Sequence, residues 1–286
     1  MNTLLSLGHG YTASALVRLL QPQGWRIVGT TRRHAEALVF GGIEPLLWPE
    51  NPLAPALAKA SHVLVSIAPG PDGDPVLAGA TEALAAAAPH LEWLGYLSAT
   101  GVYGDHQGGW VDEATPLTPT TERGLARVKA EAEWQALAAR SGLPLHIFRL
   151  AGIYGPGRGP FEKLRGGTAR RILKPGQVFS RIHVDDIAAV LAASIARPNP
   201  GAIYNVCDDD PAPPEDVLAY AASLLGLPPP PEETYEAARI SPMARSFYAE
   251  SKRVRNDRIK AELGVRLRHP DYRSGLAAML AAEGSG

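Results

Sequence analysis

The N-terminal half alternates short apolar runs with helically spaced stretches, and the first such unit carries a tight glycine pattern. Residues 3–7 form a strand candidate, residues 7–13 read L-G-H-G-Y-T-A, and Ala13, Leu16, Val17 and Leu20 then recur at helical spacing. A strand, a Gly-x-Gly-x-x-Ala turn and a helix in immediate succession leave the chain few options. Gly8 permits a tight turn, Gly10 lets the backbone approach a ligand closely, and Ala13 is small enough for the helix to lie on the strand. The rhythm continues with strands predicted at 26–30, 44–47, 62–67, 93–98 and 145–150. Helices are predicted between them at 35–40, 53–60, 75–88 and 121–140. The run H-V-L-V-S-I at 62–67 suits a strand buried on both faces. This alternation predicts a parallel sheet covered on both sides, with right-handed crossovers.

After Ala151 the rhythm breaks. G-I-Y-G-P-G-R-G-P, at 152–160, predicts a loop. Strands are predicted at 181–184 and 203–206, and helices at 186–197, 214–225, 256–263 and 272–282. The expected fold class is α/β: a doubly wound parallel sheet of Rossmann type with a smaller C-terminal α/β lobe. Residues 1–155 and about 181–207 are expected to form the dinucleotide-binding domain. Residues about 156–180 and 208–286 are expected to form the substrate-side lobe.

Bulk properties narrow the partners. The 286 residues are 45% hydrophobic and 20% charged, an ordinary globular balance. A net charge of −1 provides no global field for nucleic acid or an anionic membrane. The single cysteine, Cys207, excludes an internal disulfide and fits a reducing compartment. No apolar run is long enough to span a bilayer, and the start M-N-T-L-L-S-L-G lacks signal-peptide features. A cytoplasmic protein is expected. There is no H-E-x-x-H and no cysteine pair, so no metal site is expected. No G-x-S-x-G appears, which argues against an α/β-hydrolase. Charge is uneven: 208–236 holds eight acidic and no basic residues, and 245–273 holds nine basic and four acidic. These are read as two solvated surfaces that face each other.

The glycine turn opens a helix whose free N–H groups and macrodipole suit a diphosphate. Gly8, His9, Gly10, Tyr11 and Thr12 are its expected contacts. Ile67, Ala68 and Ser98, at the carboxyl ends of later strands, are expected to complete the cofactor site. A site for NAD has an acidic residue about 20 positions on, at the end of the second strand. Here that place reads Thr30, Thr31, Arg32, Arg33. Arginine suits a 2′-phosphate, so Thr31, Arg32 and Arg33 predict NADP over NAD. His34 is a weaker candidate beside them. The bland alternative makes these arginines ordinary solvated loop residues.

Four later stretches carry a resemblance: L-S-A-T-G-V-Y-G-D (97–105), F-R-L-A-G-I-Y-G-P-G (148–157), R-I-H-V-D-D-I-A (181–188) and Y-N-V-C-D-D-D-P (204–211). With them, R-G-L-A-R-V-K-A-E (123–131) is similar to a segment reading Y-G-x-S-K-x-x-x-E. Together they resemble the extended and atypical short-chain dehydrogenase/reductase superfamily, the epimerase/dehydratase branch. The resemblance covers most of the chain in order and is specific for fold, not reaction. It implies a catalytic Tyr where Arg123 stands, a Lys where Arg127 stands, and a Ser or Thr where Ala99 stands. Gly124 and Glu131 stay in register. Arginine, with a pKa above about 12, cannot cycle a proton near neutrality. Lys129 lies about 200° around the helix from Arg127, so it is no simple substitute.

Arg123, Arg127 and Glu131 share a helix face. They serve either as anion-binding groups or as an Arg–Glu ladder with no site to serve. Thr100 and Tyr103 are candidate substitutes, the first only if the backbone bends after the strand, the second as a tuned phenol. Tyr103 and Tyr154 are otherwise packed aromatics. His183 reads as a structural histidine beside Asp185, the expected N-cap of the next helix. The segment 158–174 sets Arg158, Lys163, Arg165, Arg170, Arg171 and Lys174 against Glu162 alone. Facing the cleft, as the resemblance implies, it would suit a small anionic or sugar-nucleotide-like substrate. The resemblance also implies a homodimer through the helices near 75–88 and 121–140. Two functions stay open: an NADP-dependent oxidoreductase or epimerase-like enzyme with a non-standard proton donor, and a non-catalytic NADP(H) sensor or regulator.

Overall fold

Strand–helix alternation produces the expected parallel sheet, and the chain's reversal within it creates the crevice. The computed structural model describes residues 1–33 and 35–284, so His34 lies outside the described residues. The chain opens with β1 (Thr3–Leu7), α1 (Tyr11–Leu20), β2 (Arg26–Thr31), α2 (Ala35–Phe40), β3 (Glu44–Leu47), α3 (Ala54–Leu57) and β4 (His62–Val65). It continues with α4 (Pro75–Ala87), β5 (Trp93–Ala99), β6 (Trp110–Val111), α5 (Glu122–Ser141), β7 (Leu145–Leu150) and β8 (Gly152–Tyr154). Then come α6 (Phe161–Arg165), β9 (Arg171–Leu173), β10 (Arg181–His183), α7 (Val184–Ala196), β11 (Ile203–Val206) and α8 (Pro214–Leu224). It closes with β12 (Glu232–Thr234), α9 (Pro242–Tyr248), β13 (Arg253–Val254), α10 (Asp257–Leu263) and α11 (Tyr272–Glu283).

Seven strands form one parallel sheet in the order β11-β7-β5-β4-β1-β2-β3. The chain builds outward from β1 to β3, then returns to place β4 on the other side of β1. The switch point between β1 and β4 is where an open α/β sheet leaves a crevice at the strands' carboxyl ends. Successive side chains alternate faces. Leu4 enters the core under α1 and α7, while Leu5 and Leu7 enter the core under α3, α4 and α5. A third apolar cluster joins Phe161 and Leu164 of α6, Ala221 and Ala222 of α8, and Leu276 and Met279 of α11.

Several expectations are corrected. The 62–67 strand ends at Val65, and the 53–60 helix shortens to Ala54–Leu57. Residues 152–160 are not wholly loop, because β8 pairs in parallel with β10. Its Gly and Pro content masks a pairing whose partner is far away in sequence. Helix α7 is capped by His183, whose Nδ1 accepts the Asp185 N–H at 3.2 Å, and not by Asp185. The acidic and basic stretches do meet, in Asp209–Lys260 at 2.6 Å and Asp210–Arg273 at 2.7 Å. No helix among the described residues is long and apolar enough to cross a membrane.

Candidate functional site

The glycine turn is built as its spacing requires. Gly8 has φ +81°, and a Cβ there would lie 2.6 Å from Ile67 Cγ1. Its N–H donates to Thr30 Oγ1 at 2.7 Å, and the His9 N–H donates to the Thr30 carbonyl at 3.1 Å. Gly10 is the N-cap of α1, in extended conformation, with no side-chain cap. A Cβ at Gly10 would have Gly8 O as its nearest neighbour, at 3.8 Å. One glycine is therefore required by packing behind the turn, and the other leaves space in front of it. The uncapped helix start opens there, a fit for a diphosphate.

In front lies a cleft of about 890 Å³. From the expected residues it gathers Gly8, Gly10, Tyr11, Thr12, Ala68, Ser98, Thr100, Arg123 and Arg127. His9, Thr31, Arg32, Arg33, Ile67 and Tyr103 are outside its lining. His9 Nε2 is 3.3 Å from Ser14 Oγ, and burial pulls its pKa down. Ile67 backs Gly8. Arg32 and Arg33 are exposed just beyond β2, where the Arg33 N–H meets Thr31 Oγ1 at 3.4 Å. Thr100 reaches the cleft because a 3-10 turn, Thr100–Tyr103, starts directly after Ala99 and bends the chain.

Tyr103 is fully buried. Its hydroxyl donates to Asn205 Oδ1 at 2.7 Å and accepts from Arg149 Nη1 at 2.9 Å. Burial, partly offset by Arg149, pushes its pKa up to about 12. Behind it Arg149 Nη2 pairs with Glu131 Oε2 at 2.7 Å, both side chains sealed from solvent. Ser98 donates to Glu131 Oε1 at 2.5 Å. The structure thus places Tyr103 in a packed polar network under the cleft floor, with no direct route to a ligand. Glu131 turns inward to this network, so the Arg–Glu ladder on α5 does not form.

The two arginines of α5 do other work. A Cβ on Gly124 would lie 2.8 Å from Gly101 O, so this glycine seats the first turn of α5 against the 3-10 turn. Arg123 Nη2 donates to Ser246 Oγ at 2.6 Å, and its guanidinium lies 4.4 Å from the Phe247 ring centre. Arg127 Nη1 donates to the Leu97 carbonyl at 2.5 Å. Of the basic segment, Arg158 lines the cleft and Arg170 lines a smaller adjoining pocket. Arg165 pairs with Glu283, Arg171 with Glu232, and Lys174 donates to the Tyr248 carbonyl.

Sequence reasoning missed Arg181, Lys252, Glu250 and the α9 residues Ala244, Ser246, Phe247 and Tyr248, all in the cleft wall. Arg181 sits in the quoted R-I-H-V-D-D stretch, and its charge within a predicted strand was the available signal. Lys252 Nζ pairs with Glu250 Oε2 at 2.7 Å. Arg123, Arg127, Arg158 and Arg181 have no ion pair among the described residues. Tyr154 lines the cleft too, but its hydroxyl donates to the Asp271 carbonyl at 3.3 Å and burial pushes its pKa up. His183, Asp185 and His269 bring ligand-type atoms within 4.8 Å of one another. The His183 ring already serves as the α7 cap.

Strand order, switch-point cleft and glycine turn define a Rossmann-type α/β protein. A sequence profile of the NAD dependent epimerase/dehydratase family matches residues 57–207, and the chain belongs to that family. It is 31% identical to Protein YeeZ of Escherichia coli (strain K12), over 95% of this chain and 97% of that one. A functionally unknown conserved protein from Silicibacter pomeroyi, of solved structure, is 63% identical, with a TM-score of 0.94 over 99% of each chain. MoeE5, solved with UDP-glucose and NAD, superposes with a TM-score of 0.78 over 100% of this chain and 99% of that one. At 23% identity, this last likeness is one of fold.

Proposed function

We propose that the chain is an NADP-dependent oxidoreductase or epimerase-like enzyme acting on a small anionic substrate. One observation carries the reading: an uncapped, glycine-opened helix faces a cleft lined by four arginines that have no carboxylate partner among the described residues. Gly8, Gly10, Tyr11 and Thr12 would cradle the diphosphate, and Ala68 and Ser98 would border the rest of the dinucleotide. Thr31, Arg32 and Arg33, at the end of β2, would take the 2′-phosphate. The dinucleotide supplies hydride transfer when bound. The protein supplies charge: Arg123, Arg127, Arg158 and Arg181 line the cleft that would receive the substrate's anionic group. Arg123 moves no proton, so a reaction that needs an acid draws on another group. Residues 1–155 with about 181–207 would bind the dinucleotide, and about 156–180 with 208–286 would form the substrate side. Helices α4 and α5 are the proposed homodimer face, checked by light scattering.

A second reading has its own support. Arg123 ties α9 to α5 through Ser246 and Phe247. A ligand anion competing for Arg123 would release α9, the behaviour of a non-catalytic NADP(H) sensor. Calorimetry with NADP⁺ and NAD⁺, followed by NADPH oxidation and product analysis on a panel of carboxylate-bearing carbonyls, tests both. Preferential NADP⁺ binding with turnover supports the enzyme. Binding with no product supports the sensor. No binding of either dinucleotide ends both. The Arg32→Ala/Arg33→Ala variant should lose about tenfold in NADP⁺ affinity, with NAD⁺ affinity little changed, given roughly 1.5 kcal/mol for an exposed charged contact.

A further inference from the structure

We infer that the pocket behind the cleft is the binding site for the aromatic ring of a substrate carboxylic acid, with Arg181 as the carboxylate's partner. This rests on the cleft being the reaction site, as proposed above. The pocket holds about 230 Å³ between α8 and α11 and shares Tyr154, Arg181 and Tyr248 with the cleft. A dry apolar cavity of about 150 Å³ takes a benzene molecule. There is room here for one ring and a short substituent, and not for a base, ribose and diphosphate together.

The chemistry of the walls agrees. Val217, Leu218 and Leu276 give apolar faces, and no Asp, Glu, Asn or Gln lines the pocket. A sugar or nucleobase would leave its donors without side-chain acceptors other than tyrosine hydroxyls, a costly burial. An aromatic ring asks for none. Tyr248 is itself fixed edge-on to Phe179, with ring centres 5.4 Å apart.

Arg181 sits where pocket and cleft meet. Its Nη1 donates to the carbonyls of Phe179 and Ala212, at 2.8 and 3.0 Å. No hydrogen bond to a described residue uses its Nε or Nη2, and no ion pair among the described residues includes it. Burial lowers its pKa, with neighbouring Asp208 acting the other way. Burial also pushes the pKa of Asp208 itself up, to about 8. A guanidinium with a free donor edge beside an apolar pocket matches a carboxylate bound in two-point fashion. The ring enters the pocket, the carboxylate stops at Arg181, and the remainder projects into the cleft.

Calorimetric titration of cinnamate, methyl cinnamate and UDP-glucose, with and without NADP⁺, tests this. Cinnamate should bind saturably, and the uncharged ester at least tenfold more weakly. Arg181→Met should weaken cinnamate about 10- to 100-fold, and Leu218→Trp, which adds bulk to the pocket wall, at least tenfold. Both variants should keep the wild-type NADP⁺ affinity. Wild-type protein that binds NADP⁺ but not cinnamate overturns the pocket assignment alone. Cinnamate affinity unmoved by Leu218→Trp overturns it as well. Cinnamate binding sensitive to Leu218→Trp, without dinucleotide binding, supports the pocket and sinks the cofactor reading.

Discussion

Replacing Gly8 and Gly10 by alanine, one at a time, separates a packing glycine from a ligand glycine. At Gly8 the left-handed φ of +81° costs an alanine roughly 1–2 kcal/mol. The Cβ also meets Ile67 Cγ1 at 2.6 Å, an overpacking worth about 1–3 kcal/mol. The sum, roughly 2–5 kcal/mol, lowers Tm by about 4–10 °C at about 2 °C per kcal/mol for a chain of this size. At Gly10 the backbone is extended and the nearest atom is 3.8 Å away. Losing glycine at an N-cap costs up to about 1 kcal/mol, and the stiffer unfolded chain returns about 0.4–1 kcal/mol. Gly10→Ala should therefore melt within about 2 °C of the wild type. Its methyl would stand where the diphosphate must approach the helix start. Losing one charge-assisted N–H contact, about 1.5–3 kcal/mol, weakens the dinucleotide about 10- to 100-fold. Differential scanning fluorimetry, with and without NADP⁺, reads both quantities. A Gly10→Ala protein showing the full wild-type NADP⁺ shift would refute the geometry assigned to the cradle.

Two further predictions concern the buried charges. Glu131→Ala strands the Arg149 guanidinium in a sealed site, so a loss of about 3–5 kcal/mol is expected by chemical denaturation; a loss under 1 kcal/mol would show that water or a neighbour compensates. Asp208 has Oδ2 unpartnered, and burial holds its folded pKa near 8 against an ordinary 3.8. The folded state thus binds the extra proton between those values, and its stability falls as pH rises through that window. Asp208→Asn should stabilise the protein by a few kcal/mol at pH 9 and hardly at all at pH 4, by the same linkage. His146 acts in the opposite sense. Burial holds its pKa near 4, and its Nε2 accepts the Asn199 N–H at 2.9 Å. Stability that is complete above the ordinary value of 6.5 should drain as pH falls towards 4, and His146→Gln should flatten that acid limb. Melting curves across pH 4–9 check both arms.

The fold was legible because its signals are local. Most main-sheet strands are short apolar runs, β3 being the weakest, and α5 carries both a Thr121 cap and a terminal glycine, Gly142. The glycine turn was equally legible, since Gly8 and Gly10 answer to backbone geometry within a few residues. The smaller strand pairs were hidden. β9 finds β12, and β6 finds β13, across long separations and with two or three residues each. The catalytic side was legible only as a loss. The resemblance implies an acid where Arg123 stands, but sequence does not show that the Arg123 guanidinium reaches Ser246 on a helix more than a hundred residues later. Tyr103 stayed open between a tuned phenol and a packed aromatic because nothing nearby in sequence announces Arg149 and Asn205. Arg181 was passed over because an arginine in a strand says little until the lack of an ion pair to any described residue is seen in three dimensions.

The arginine at position 123 also limits what redesign can achieve. Placing tyrosine, lysine and serine at 123, 127 and 99 would build the reactive trio that the resemblance implies. It would also cut the strut that fixes the roof helix over the cavity, since a phenol on the same stem lacks the forked reach to Ser246. Any such substitution gives up the Arg123 contacts to Ser246 and Phe247, and needs a second change on Pro242–Tyr248 to replace them.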